Sequence, residues 1–296
     1  MKKNILVALL AVLAFYAPLR GQQTQEQSSL LWKITGKDLK EPSYLFGTLH
    51  LLTNAFIDTM PAVQEAYRQT QAVAGELIMD PSLQTRMMQA SLLEGTTLRQ
   101  VLPDSIYTIA EEWFKNKAGL DLQNLNAVNP MTVMTVAMAI CQQIHFPNPE
   151  GQVQLDTYFQ EQAKMDGKEI LGLEDVEVQI NALFTSISLQ RQAELLNSLL
   201  NDAQPIEAQM ALMYQAYVRQ DLSALHQLMY ADVYSPEEIY TLLDARNSQW
   251  VNEMPRIMQE QPTFFAVGAL HLTGDGGVIS LLRKQGYTVT PVQTTH

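Results

Sequence analysis

Cysteine is nearly absent from this chain: its 296 residues include one, Cys141. No intrachain disulfide can form, so the fold must hold by packing alone. Long apolar runs are also scarce. The one that stands out, Ile5 to Ala17, falls short of the roughly 18–20 residues that a membrane-spanning helix needs. Basic residues are few, with 19 Lys and Arg against 31 Asp and Glu, a formal net charge of −12. An acidic surface repels phosphate backbones and anionic headgroups, which argues against nucleic-acid binding. The common metal signatures are missing too. There is no His-Glu-x-x-His and no cysteine pair.

What is present begins with a leader. Lys2 and Lys3 precede the Ile5–Ala17 run, and Pro18 to Gly21 follow it. This is the layout of a secretory signal peptide over residues 1–21, so the chain is expected to be periplasmic or secreted, with no stable membrane span after cleavage. Leu19 is an unusual residue for the −3 position of such a site, which leaves an uncleaved N-terminal anchor as the alternative. The leader's three basic residues, once removed, leave the remainder more acidic still. Residues 22–29 are polar and are expected to form a disordered tail. Residues 30–296 show no linker or repeat and read as one domain.

Within that domain, strands are expected at Leu30–Thr35, Ser43–Phe46, Ala72–Leu77, Lys168–Leu173, Thr263–Val267 and Tyr287–Val292. Between them the spacing predicts helices, several opening with Pro in the first turn, among them Asp58–Thr70, Pro81–Leu93, Pro103–Lys117, Pro130–Ile144 and Val153–Asp166. Helical patterning continues through Val176–Leu189, Pro236–Asp244 and Ser248–Gln259. Cys141 ends an apolar helical run and reads as a small buried hydrophobe. Strands separated by helical crossovers imply an α/β fold. Its sheet should be mixed and partly parallel, with flanking helices and a large helical insertion.

The chemistry-bearing pattern is a duplication. Tyr44-Leu45-Phe46-Gly47-Thr48-Leu49-His50 aligns with Phe265-Ala266-Val267-Gly268-Ala269-Leu270-His271. In each, an apolar strand meets a glycine and presents a histidine just past the strand's end. Ligands of open α/β sheets bind outside those carboxyl ends, so the two histidines can converge on one site. A lone strand-end histidine is more often structural, and the repetition is what favours function. Glu76 and Glu174 stand in similar places, each after a short apolar strand containing Gly. Glu174 also precedes a helix, where interaction with the helix dipole would explain it equally well. Arg246 could pair with a strand-end carboxylate, hold a substrate carboxylate or lie on a helix surface, and Asp156 could brace the site, with a structural role favoured. Two histidines with one or two carboxylates would serve either a divalent metal with an open water position or metal-free hydrolysis with a histidine base.

These residues, taken in order, resemble the TraB/PrgY/GumN family, to whose wider group TIKI-type proteases belong. The resemblance rests on Gly47-Thr48-Leu49-His50, Glu76, Leu155-Asp156, Gly172-Leu173-Glu174, Arg246-Asn247 and His271 with Gly276-Gly277-Val278. The closing Leu281-Leu282-Arg283 and Gly286-Tyr287 extend it. It implies a fold like those of erythromycin esterase (EreA) and the haem-binding ChaN proteins. It further implies a metal-dependent hydrolase, a peptidase by analogy, with His50, Glu76 and His271 on Mn, Co or Zn. Glu174 would then be a base or a supporting residue, and Arg246 would stabilise charge. A peptide or a small ester is the implied substrate. The alternatives are a metal-independent esterase-like enzyme using His50 as base, and a binding protein that sequesters a peptide, haem or signal.

Overall fold

The computed structural model describes residues 28–148, 150–201, 203–229 and 233–294. The expected leader, and all of the expected polar tail except Ser28 and Ser29, lie outside these residues. Ser29 is not part of a loose tail. It is buried, and its hydroxyl donates to the Val292 carbonyl at 2.7 Å.

Six strands form one sheet: β1 (Leu31–Thr35), β2 (Ser43–Thr48), β3 (Ala72–Gly75), β4 (Glu169–Gly172), β5 (Thr263–Gly268) and β6 (Thr288–Val292). Their order is β4-β3-β5-β2-β1-β6. Neighbours from β4 to β2 run parallel, while β1 lies antiparallel to both β2 and β6. The sheet is therefore mixed and partly parallel, and helices flank it, as an α/β fold requires.

Alternation along the strands divides the core. Phe46, Val73 and Phe264 pack on one face with Phe159, Tyr67 and Tyr217. Leu45, Ala74, Phe265 and Val267 pack on the other with Trp250, Met254 and Leu282. A third cluster, away from the sheet, joins Leu98, Phe114, Val133, Cys141 and Leu195. It is the apolar interior of the helical insertion. None of the described helices is long and apolar enough to cross a membrane.

Several helix boundaries depart from simple 3.6-residue spacing. The helix expected at Asp58–Thr70 is two, Asn54–Asp58 and Pro61–Arg68, because Pro61 lacks the N–H that would continue the first. The segments expected at Pro236–Asp244 and Ser248–Gln259 run together. Pro236–Ile239 passes through a π turn, Tyr240–Asp244, into Ala245–Glu260. A second π turn, Asn181–Thr185, ends the helix that starts at Val176, and a new helix begins at Leu189. A π turn takes in one more residue than an α turn and shifts the phase of every side chain beyond it. Arg246, Asn247 and Trp250 follow such a shift, and all three are buried.

Candidate functional site

The parallel strands β2, β3, β4 and β5 end on the same edge of the sheet. Thr48 pairs with Gly268, and Gly75 pairs with both Ala266 and Gly172. The residues that follow these ends are the ones singled out by the sequence. His50 follows β2, Glu76 follows β3, Glu174 follows β4, and His271 lies in the 3-10 turn Ala269–Leu272 after β5.

The motif glycines serve close packing. Neither Gly47 nor Gly268 has positive φ. A Cβ on Gly47 would stand 2.9 Å from the Ala269 Cα, so the first motif needs glycine to lie against the second. A Cβ on Gly268 would crowd Glu76 Oε1 at 3.3 Å. The duplicated motifs are neighbours, one residue out of register, because it is Thr48 that faces Gly268.

Arg246 organises the floor of the site. Its Nη2 donates to Glu76 Oε2 and to Glu174 Oε1, both at 2.6 Å. Its Nε reaches both Glu174 oxygens, and its Nη1 donates to the Leu242 carbonyl and to His271 Nε2 at 3.2 Å. The Trp250 indole N–H donates to Glu174 Oε2 at 3.0 Å. The Glu174 side chain is 0% exposed and fully engaged. It cannot meet a substrate, so the base role allowed for it from sequence gives way to bracing Arg246. The alternative reading of Arg246, on a helix surface, is likewise set aside by its burial.

Glu76 is more accessible, and its Oε1 accepts the Gly268 N–H at 2.9 Å. Gln179 adds a bond to Oε2 at 3.2 Å. Burial alone would raise the Glu76 pKa. The positive charges of His271 and Arg246 and the Gly268 N–H outweigh burial and hold it at about 2. His271 itself is pushed down to about 4, chiefly by burial, with Arg246 and His50 opposing a second positive charge. At neutral pH it is therefore uncharged, and Arg246 with the Gly268 N–H keeps Glu76 ionised there. His271 Nδ1 lies 2.6 Å from Asn247 Oδ1, and Asn247 Nδ2 donates to the Gly276 carbonyl at 3.0 Å. With Arg246 donating to Nε2, the proton belongs on Nδ1; this tautomer is inferred from the hydrogen-bond network.

His50 is held differently. Its Nδ1 is 2.7 Å from Asp156 Oδ2, and Thr48 Oγ1 donates to the other Asp156 oxygen. The ring is 79% exposed. The Asp156 charge, and then its hydrogen bond, raise the His50 pKa to about 9. His50 and His271 sense each other's charge, as do His50 and Glu76.

The expected site residues thus gather along one edge, but unequally. Glu76, Glu174, Arg246 and His271 form one bonded cluster, and His50 stands at its open side with Asp156. His50, Glu76 and His271 were expected to hold a divalent metal. Among the described residues, no three His, Cys, Asp or Glu side chains stand at metal-ligand spacing. Glu76 Oε1 and His271 Nε2 come within 3.7 Å, with the Arg246 guanidinium bonded to both residues. A fixed cation already serves this carboxylate and this ring nitrogen, so the arrangement does not fit a divalent ion. Sequence reasoning missed Gln179 and Trp250, which carry no motif signal. It left Asn247 without a role, although Asn247 adjoins Arg246.

Comparison with known proteins bears on the family. Residues 30–291 match the TraB/PrgY/gumN family model. Metalloprotease TIKI1 of Danio rerio is 26% identical over 88% of this chain and 63% of its own length. Metalloprotease TIKI2 of Danio rerio is 24% identical over 91% of this chain and 62% of its own. Metalloprotease TIKI1 of Homo sapiens is 24% identical over 90% and 62%. The chain spans less than two thirds of the length of these curated relatives. No solved structure matches it. With its fold, its ordered motifs and a family match covering nearly all the described residues, the chain belongs to the TraB/PrgY/gumN family.

Proposed function

We propose that this protein is an exported hydrolase that adds water across the carbonyl of a peptide, or of a small ester, at the carboxyl edge of its sheet. The observation that carries this reading is the His50–Asp156 pair. An exposed imidazole is tied at Nδ1 to a carboxylate, and its Nε2 has no protein partner among the described residues. That is the posture of a general base or acid. In the uncharged form of the ring, which its raised pKa makes the minor form at neutral pH, Nε2 takes a proton from water as the water oxygen adds to the carbonyl carbon. The imidazolium then returns the proton to the departing amine or alkoxide. The products are an acid with an amine or alcohol, and the histidine is regenerated. Arg246 places a fixed positive charge beneath the site, and the Glu76 and Glu174 carboxylates hold it there.

A second reading, metal-dependent cleavage of peptides, draws on the relatives named metalloproteases. It is also favoured by the anchoring of both histidines at Nδ1 by a side-chain oxygen, an arrangement common among metal-binding histidines. The residues that would hold Mn, Co or Zn are His50, Glu76 and His271, and His271 Nε2 would first have to be released by Arg246.

A peptide-library cleavage assay on purified protein tests the proposal. Cleavage that persists in chelator and disappears in His50→Ala supports the metal-free form. Cleavage abolished by chelator and restored by one added metal selects the second reading. Tight capture of peptide with no turnover under either condition rejects hydrolysis altogether.

A further inference from the structure

The chemistry above leaves one feature beside His50 unused. The helix Pro130–His145 ends against the His50 loop, where Gln142 Nε2 donates to the His50 carbonyl at 3.3 Å. At this place lies a cavity of about 450 Å³ whose lining includes Ala139, Gln142, Gln143, Phe146, Asn148 and Gln154. A cavity of this size suits a short organic ligand rather than an ion. Gln154 ties its other wall to the same loop. It bridges Thr53, and the next residue, Leu155, donates its N–H to the Leu52 carbonyl at 3.1 Å. Asp156, which grips His50, comes directly after. Both walls of the cavity are thus fastened to the segment that carries His50.

The lining has a consistent chemistry. Among the described residues of the lining, four side chains are carboxamides and none is ionisable. Among the described residues, the side-chain amides of Gln143, Asn148 and Gln154 bond to no protein group. A carboxamide offers a donor and an acceptor together, which matches the alternating N–H and C=O groups of an extended peptide. An acidic ligand would find no cation among the described lining residues, in a chain whose net charge is already −12. A saccharide usually needs an open aromatic face, and Phe146 is occupied by Tyr214, with ring centroids 5.8 Å apart.

We propose that this cavity is a substrate subsite that takes the backbone of an uncharged, extended peptide segment and directs the adjoining carbonyl to His50. The proposal rests on the hydrolase reading for its direction, but binding can be measured without turnover. Dye-labelled uncharged tetrapeptides are titrated into the full chain carrying His50→Ala and followed by fluorescence anisotropy. Adding Gln143→Trp or Asn148→Trp fills the cavity and is expected to weaken binding at least tenfold. Gln143→Leu keeps the bulk, removes the hydrogen bonds, and is expected to weaken it severalfold. Gln143 and Asn148 are both exposed, and unchanged circular dichroism confirms that the Trp variants fold. An affinity that stays within twofold in both Trp variants overturns the proposal, as does a tetrapeptide that binds no better than the free dye. Preference for a dye-labelled neutral tetrasaccharide over the peptides overturns it as well. If the cavity variants lose binding while wild type cleaves nothing, the subsite stands and the hydrolase reading falls.

Discussion

The Arg246 guanidinium lies 2.6 Å from the Glu76 carboxylate, in a cluster where Arg246 is only 7% exposed. Glu174 shares the same Nη2 at the same distance, and its side chain is 0% exposed. One cation thus offsets two carboxylates delivered by neighbouring strands. Removing it leaves two buried negative charges facing each other.

Arg246→Met is accordingly expected to destabilise the protein strongly. Leaving a buried ion pair unpaired costs ~3–5 kcal/mol in typical cases. Denaturant unfolding of the variant checks this. Glu174→Gln should cost less, because the amide keeps an acceptor for Arg246 and Glu76 still neutralises it. A melting temperature within experimental error of wild type in Arg246→Met would show that the cluster does not support the fold.

The pH dependence of stability follows from the same cluster. The folded-state pKa of His271 is about 4, below its ordinary 6.5, and that of Glu76 is about 2, below its ordinary 4.5. The unfolded chain therefore binds more protons on the acid side. The stability due to His271 is complete above pH 6.5 and is lost as the pH falls towards 4; that due to Glu76 is lost from 4.5 towards 2. Melting curves across this range should fall steadily. In His271→Gln the decline between pH 6.5 and 4 should flatten. An equally steep decline there would place the acid sensitivity elsewhere.

His50 responds in the opposite direction. Its folded pKa is raised, so its pairing with Asp156 stabilises the protein below pH 6.5 and stops doing so as the pH rises through the folded value. Asp156→Asn removes the charge and should return the ring towards 6.5, as read by an NMR titration of the His50 ring proton. If His50 acts as base, the acid limb of activity should move down with it, and the rate at its plateau should fall because the ring is no longer fixed. A His50 pKa at or below 6.5 in wild type would remove Asp156 from this role.

Much of the site could be read from the chain because strand ends are local features. Gly47 to His50 and Gly268 to His271 announce a strand, a close contact and a histidine within a few residues. Glu76 and Glu174 do the same for β3 and β4. What could not be read depends on helix phase and tertiary contact. The π turn at Tyr240–Asp244 shifts the phase that spacing alone assumes, so Arg246 could not be distinguished from a surface residue. The unequal exposure of His50 and His271 was also hidden. Their sequence motifs match, but His271 is packed against Trp250, with ring centroids 4.4 Å apart, and bonded to Arg246 and Asn247, while the His50 ring is exposed. Gln179 reaches Glu76 through the helix Val176–Ile180, a contact that no local pattern announces.

Metal content follows from how His271 is held. Its Nδ1 side belongs to Asn247 and its Nε2 to Arg246, so neither nitrogen is free in this arrangement. Purified protein is therefore expected to carry much less than one equivalent of Mn, Co or Zn, and chelator should leave its melting temperature unchanged. Elemental analysis and thermal melts measure both. Arg246 also sets the expected effect of substitution. Arg246→Met frees His271 Nε2 and Glu76 Oε2 while removing the competing charge, so the folded fraction of this variant should bind divalent metal more tightly than wild type. His50→Ala in wild type should then change metal affinity little. Stoichiometric metal in wild type, lost in either His50→Ala or His271→Ala, would mean that Arg246 yields its place to the ion, and the metal-dependent reading would take precedence.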